Sequence, residues 1–274
     1  MTDAPTTPAA EDAERALAAR ARELLPALYF DPVQYDLLAQ MTAPRDLPMY
    51  EALAARHGGP ILELGAGTGR ITIALARAGH EVVGLELSGP MLAAAHAKAS
   101  AEGLDVTLAL GDLRAFDLGR RFALVLVPFN TLNHLLDDDS LARALDAIAR
   151  HLADDGRLVV DTFQPSPAFL GDAPERRRPI LRYRDPYLDR EVVLSEEHHY
   201  DPATQLDRIV WSYAVGGVED ARVEELTMRL FFPRELDAWL AHAGYALEAK
   251  HGDYDGRPFD ARSPKQIVIA RRAR

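Results

Sequence analysis

The chain contains no cysteine, which excludes disulfide staples, thiolate nucleophiles and thiolate metal sites. Lysine is almost as scarce: Lys98, Lys250 and Lys265 are the only ones in 274 residues, and 31 basic residues face 42 acidic ones. The formal charge of −11 opposes electrostatic capture of nucleic acid, which needs a basic stripe. Arg176-Arg177-Arg178 is too short to supply one and reads as a solvated turn. No segment approaches the roughly 20 apolar residues of a membrane-spanning helix. The start, Met1-Thr2-Asp3-Ala4, lacks the basic-then-apolar order of a secretion signal. The expectation is a cytoplasmic protein that binds neither nucleic acid nor membrane, long enough to bury a large α/β core without staples.

Against these absences stands Pro60-Ile61-Leu62-Glu63-Leu64-Gly65-Ala66-Gly67-Thr68-Gly69-Arg70. An apolar run suited to a strand buried on both faces passes through three alternating glycines into a run with the character of a helix. Glycine there permits positive φ and lets backbone approach a ligand lying across the strand end. The spacing departs from the dinucleotide pattern, which wants a small residue where Arg70 stands. Glu63, two residues before the first glycine, would repel a diphosphate and attract an ammonium group, so the ligand should carry a positive centre.

This segment resembles motif I of the class I S-adenosylmethionine (SAM) dependent methyltransferases, a carboxylate followed by Gly-x-Gly-x-Gly, in which the glycine loop backs the methionine moiety. Three further stations follow. Glu81-Val82-Val83-Gly84-Leu85-Glu86 ends in an acid able to accept hydrogen bonds from both ribose hydroxyls. Ser88-Gly89-Pro90-Met91 then reads as a helix start, with Met91 beneath the nucleoside. Val106 to Leu113 is a strand ending in Gly111-Asp112, where a side-chain acceptor can take the adenine amine. Phe122 to Val127 breaks at Pro128 into Phe129-Asn130-Thr131-Leu132-Asn133-His134, a loop at the carboxyl end of its strand that in the family meets both cofactor and acceptor.

The resemblance implies a SAM-binding set of Tyr29, Glu63, Gly65, Ala66, Gly67, Thr68, Gly69, Arg70, Glu86, Leu87, Met91, Gly111, Asp112, Leu113, Pro128 and Phe129. His134, whose imidazole titrates near neutral pH, is the candidate base; a structural histidine capping the next helix is the alternative. Tyr35, Asn130, Arg182, His199 and Trp211 are the candidate acceptor contacts. Tyr29 and Tyr35 lie in Leu28 to Asp36, an aromatic-acidic segment similar to the family's N-terminal lid, and could equally be packed helix residues. His198-His199 suggests no metal, since adjacent strand residues point to opposite faces.

Strands near 61–64, 81–85, 105–110, 122–127 and 157–163 alternate with helices near 69–79, 89–102 and 138–153, the rhythm of a doubly wound α/β sheet. Residues 180–231 then alternate apolar and charged residues between turn signals, as an antiparallel sheet does. A helix at 234–243 and a closing hairpin at 245–251 and 266–271 complete a seven-stranded Rossmann-like sheet whose last strand, in the family, runs antiparallel. The expected units are a helical lid over 1–45, a SAM-binding domain over 46–165 and 232–274, and a β insertion over 166–231 that forms either an acceptor pocket or a homodimer contact. Residues 1–8 are expected to be disordered, and 252–259, which resembles a segment common in bacterial small-molecule methyltransferases, takes no role from the sequence.

The resemblance is strongest over 60–165 and closest to antibiotic-sugar N,N-dimethyltransferases and glycine N-methyltransferase. It implies methyl transfer to nitrogen or oxygen of a small molecule, in secondary metabolism. An RNA or protein methyltransferase, or a nucleotide-binding or NAD(P)-dependent protein on the same sheet, remains as an alternative. The nucleobase and amide methylation signature Asn-Pro-Pro-Tyr is replaced here by Val127-Pro128-Phe129-Asn130.

Overall fold

A computed structural model describes residues 8–42, 45–165, 170 and 176–273. The expectation of disorder over 1–8 thus falls almost wholly outside the described residues, as does the start of the expected insertion. Three helices open the chain, α1 (Pro8–Leu24), α2 (Pro32–Thr42) and α3 (Leu47–His57), with a 3₁₀ turn at Ala27–Phe30. The alternating part follows: β1 (Ile61–Leu64), α4 (Arg70–Arg77), β2 (Val82–Glu86), α5 (Gly89–Ala101), β3 (Thr107–Leu110), β4 (Phe122–Val127), a 3₁₀ turn at Thr131–His134, α6 (Asp138–His151) and β5 (Leu152–Phe163). Four long strands come next, β6 (Arg178–Asp185), β7 (Arg190–Asp201), β8 (Leu206–Val215) and β9 (Val218–Arg229). The chain closes with α7 (Pro233–His242), β10 (Tyr245–His251) and β11 (Lys265–Arg272).

The main sheet has the order β10-β11-β5-β4-β1-β2-β3, and only β11 runs antiparallel to its neighbours. Its strands read as unbroken apolar runs because both faces are covered, with successive residues serving opposite sides. Leu62, Leu64, Val125, Val127, Leu158 and Val160 pack on Leu141, Leu145 and Ile148 of α6 and on Leu236 and Leu240 of α7. Ile61, Leu124, Leu126 and Val159 pack on Tyr50 and Leu53 of α3 and on Ile71 and Leu75 of α4. Truncating any of these leucines or isoleucines to alanine costs on the order of 2–5 kcal/mol. Local signals set the helix starts: the Ser88 hydroxyl accepts the Met91 amide at 3.4 Å, and the Asp137 carboxylate accepts that of Ser140 at 2.7 Å.

Strands β6 to β9 form a separate antiparallel meander. Its apolar face, Val192, Leu194 and Tyr213, closes on Leu28 and Leu38 of the N-terminal segment, with Tyr35, Tyr183 and Trp211 around them. Polar ties reinforce the contact, from Gln34 Nε2 to the Tyr183 hydroxyl at 2.9 Å and from Arg222 to Asp31 at 3.4 Å. The start of β5 differs from the sequence reading. β5 begins at Leu152 rather than 157, because a register shift opposite Phe122–Leu124 absorbs residues 153–156 as an irregularity in the ladder. The aromatic-acidic segment coils into a 3₁₀ turn and a helix, so Tyr35 is a helix residue that also faces the ligand cleft.

Candidate functional site

The carboxyl ends of β1 to β4 converge on an open cleft of about 1040 Å³, mouth included. Gly65, Gly67 and Gly69 all take positive φ, at 73°, 56° and 85°. They serve different ends. A Cβ on Gly65 would lie 2.6 Å from Cγ2 of Thr131, so this glycine lets the loop after β4 close onto the loop after β1. A Cβ on Gly67 would meet no protein atom and would project into open space. Gly69 is squeezed between Ile73 and Ala95 and stands outside the lining.

Three carboxylates mark the strand ends. Glu63 is buried and accepts from the Thr72 hydroxyl, and burial pushes its carboxyl up to about 8 against that bond and the nearby Arg70. Glu86 accepts the amides of Gly67 at 2.8 Å and Ser88 at 2.7 Å, tying the glycine loop to the end of β2. Burial raises its pKa, and these amides oppose the rise. Asp112 is gripped by the Arg114 guanidinium, with contacts down to 2.6 Å, which holds its carboxyl low despite burial.

The N-terminal segment covers the other side. The Ser88 hydroxyl donates to the Tyr29 carbonyl at 2.5 Å, and Thr68 donates to Asp36, which also pairs with Lys98 at 2.6 Å. These ties bring Tyr29 and Tyr35 into the lining with rings 5.8 Å apart. The Tyr29 hydroxyl lies 3.0 Å from His134 Nε2. Burial, with Tyr35 and Glu86 nearby, raises the Tyr29 pKa, and burial pushes the His134 imidazole down to about 4. The couple is therefore a protonated phenol and a neutral imidazole joined by one hydrogen bond.

Of the residues singled out in the sequence, Tyr29, Tyr35, Glu63, Gly65, Ala66, Gly67, Thr68, Arg70, Glu86, Leu87, Gly111, Asp112, Leu113, Pro128, Phe129 and His134 all line the cleft. Met91 is fully buried in the first turn of α5, without reaching the lining. Asn130 turns away: its Oδ1 accepts the Phe163 amide at 2.8 Å and fixes the loop. Arg182 pairs with Glu191 on the exterior, His199 sits 4.0 Å from Glu197, and the Trp211 indole donates to Glu196 at 2.8 Å. The structure does not bring these three to the cleft, because the small sheet spends its apolar face on the N-terminal segment. His198 bridges Asp207 at 2.6 Å and Glu196 at 2.7 Å. In the basic run, Arg177 pairs with Glu197 and Asp220.

Leu24, Leu25, Ile71, Leu85, Arg114, Thr131 and Leu135 also line the cleft and escaped the sequence reading. The Gly-x-Gly spacing could have flagged Thr131 only if its contact with Gly65, 66 positions away, were known. The set fits SAM: an acidic end at Glu63 for an ammonium, a carboxylate at Glu86 for a diol and an open glycine backbone. A diphosphate fits poorly. Both lining guanidinium groups are already engaged, Arg70 by Asp46 through two 2.6 Å contacts and Arg114 by Asp112.

Comparison with known proteins agrees. Residues 61–156 match the methyltransferase domain family. The chain is 37% identical over 238 residues to the dTDP-3-amino-3,6-dideoxy-α-D-glucopyranose N,N-dimethyltransferase of Streptomyces fradiae, covering 81% of this chain and 86% of that protein. It is 28% identical over 249 residues to the cypemycin N-terminal methyltransferase of a Streptomyces species, covering 87% and 94%. The solved structure of the CcbJ methyltransferase from Streptomyces caelestis superimposes with a TM-score of 0.74 at 29% identity, covering 84% and 91%. With its seven-stranded sheet, reversed last strand and acidic glycine cradle, the chain belongs to the class I SAM-dependent methyltransferases.

Proposed function

We propose that this enzyme transfers the SAM methyl group to nitrogen, with oxygen as the second reading, of a small molecule of secondary metabolism. The observation that carries the reading is the pairing of an acidic, phosphate-poor cradle with the Tyr29–His134 couple across the same cleft. Two relatives support the choice of nitrogen: one dimethylates a dTDP-amino sugar and the other is named for the N-terminus of cypemycin.

In this reading Glu63 receives the SAM ammonium, the glycine loop backs the methionine chain, Glu86 holds the ribose diol and Asp112 with Leu113 borders the adenine. Bound SAM supplies a methyl group already activated by its sulfonium, so the protein chiefly positions the acceptor and excludes water. Tyr35 walls the acceptor side, together with Phe129 and Thr131 of the loop after β4, which in the family meets both cofactor and acceptor. In this reading the His134 proton sits on Nδ1, so the Tyr29 hydroxyl donates to Nε2, and a proton leaving the acceptor passes to the Tyr29 oxygen as the Tyr29 proton moves to Nε2.

Calorimetric titration with SAM, S-adenosylhomocysteine (SAH) and NADPH tests the cofactor assignment, with binding expected for the first two only. A mass-detected acceptor screen pairing amino sugars and their nucleotides with free amines and phenols tests the acceptor. NADPH binding without SAH binding, or methylation of RNA alone, would overturn the reading.

A further inference from the structure

We infer that Asp161, at the carboxyl end of β5, is a positioning residue that sets the acceptor wall of the cleft through Phe129, and that the 252–259 loop serves as its brace. The inference rests on the reading of the cleft as the methyl-transfer site. Its starting point is a backbone oddity: Phe129 and Asn130 both take left-handed conformations, at φ 47° and 65°. A bulky side chain adopts that region only where its surroundings impose it. The ring so presented lines the cleft and is 38% exposed.

Asp161 does the imposing. It is fully buried, and its Oδ2 accepts the Phe129 amide at 3.1 Å while its carbonyl accepts the Asn130 amide at 2.9 Å. The same Oδ2 takes the hydroxyls of Tyr50 at 2.9 Å and Tyr254 at 2.6 Å, and Lys265 Nζ stands 3.3 Å from Oδ1. Burial and the Asp161 charge raise the pKa of both tyrosines, so each stays a donor. Lys265 and Arg70 then flank the ring, at 5.4 and 5.8 Å from its centroid. Tyr254 thereby gives the loop between β10 and β11 a task. The loop is itself pinned by the Gly252 amide on the Arg257 carbonyl at 2.8 Å and the Phe259 amide on that of Lys250 at 3.1 Å.

The test places 4-fluorophenylalanine at position 129 and reads its ¹⁹F resonance in the parent, Asp161→Asn and Tyr254→Phe proteins. One sharp line is expected in the parent, and a shifted or split line in both variants, with amide exchange over 65–69 unchanged. Using an acceptor from the screen above, kcat/KM should fall at least tenfold in Asp161→Asn and several-fold in Tyr254→Phe, chiefly through a raised KM. Tyr254→Phe keeps the buried carboxylate and decides the matter should Asp161→Asn fail to fold. A resonance unmoved in every variant that folds, or a moved resonance with unaltered kcat/KM, would overturn the inference. A parent that shows the sharp line but binds no SAH would instead overturn the cofactor assignment.

Discussion

If Glu63 receives the SAM ammonium as proposed, ligand binding depends on pH in a way that can be worked from its surroundings. With its carboxyl raised to about 8 by burial, the unliganded cleft at pH 7 holds it mostly protonated. An incoming ammonium favours the carboxylate, so binding must expel the proton, and each pH unit below about 7 weakens binding by about 1.4 kcal/mol, or tenfold. Between pH 6 and 7, where the SAH ammonium stays charged, Kd should fall about tenfold. Calorimetry at pH 6.5 in two buffers of different ionisation enthalpy should show close to one proton released per SAH bound. Glu63→Gln should bind more weakly, with a flat profile and no proton release. Stability gives a second readout of the same group. Its folded pKa lies above its ordinary 4.5, so the unliganded fold holds the proton more tightly than the unfolded chain and loses stability as pH rises from about 4.5 to 8. Unliganded Glu63→Gln should therefore melt above the parent at pH 8. A parent Kd that changes less than twofold from pH 6 to 7, with no proton released, would refute the reasoning.

Other perturbations read other parts of the cleft. Glu86→Ala should weaken SAH binding by about 1–3 kcal/mol in calorimetry, since it removes the tether on Gly67 and, in the proposed reading, the diol acceptor. His134→Ala should lower turnover more than SAH affinity in steady-state kinetics, and equal losses would leave His134 without a proton-accepting role. Gly65→Ala should cost about 2–4 kcal/mol in urea melts, from left-handed backbone and overlap with Thr131, and Thr131→Ala should recover only the overlap. His198, raised to about 9 by Asp207 and Glu196 against the opposing effect of burial, contributes stability that is full below 6.5 and lost as pH rises through 9. Discounted for its partial exposure this is on the order of 1 kcal/mol, and His198→Gln should flatten the trend in melts from pH 6 to 10.

The legible part of the site was the part built from neighbours in sequence. Glu63 and the glycines lie in one stretch, while Glu86 ends β2 and Asp112 follows β3 by two residues, so strand order alone brings them to one rim. Tyr29 and His134 were each legible as candidates, but their contact spans 105 positions and follows only from the docking of the N-terminal segment. Trp211, Arg182 and His199 had chemistry suited to a pocket, yet sheet packing and exterior ion pairs claimed them. Nothing about Asp161 stood out in an apolar strand, because its importance lies in which donors converge on it.

By itself the sequence determined what periodicity and local stereochemistry control. Apolar runs alternating with amphipathic helices dictate a parallel sheet covered on both faces, and glycine spacing with a strand-borne acid dictates a cradle for a cationic nucleoside. Only the tertiary structure decided how that cradle is closed: which tyrosine meets His134, which carboxylate holds Phe129 in its left-handed turn, and which face of the small sheet is consumed by packing. Those outcomes depend on contacts between residues scores of positions apart, where hydrogen-bond satisfaction and close packing choose among partners that no local pattern distinguishes.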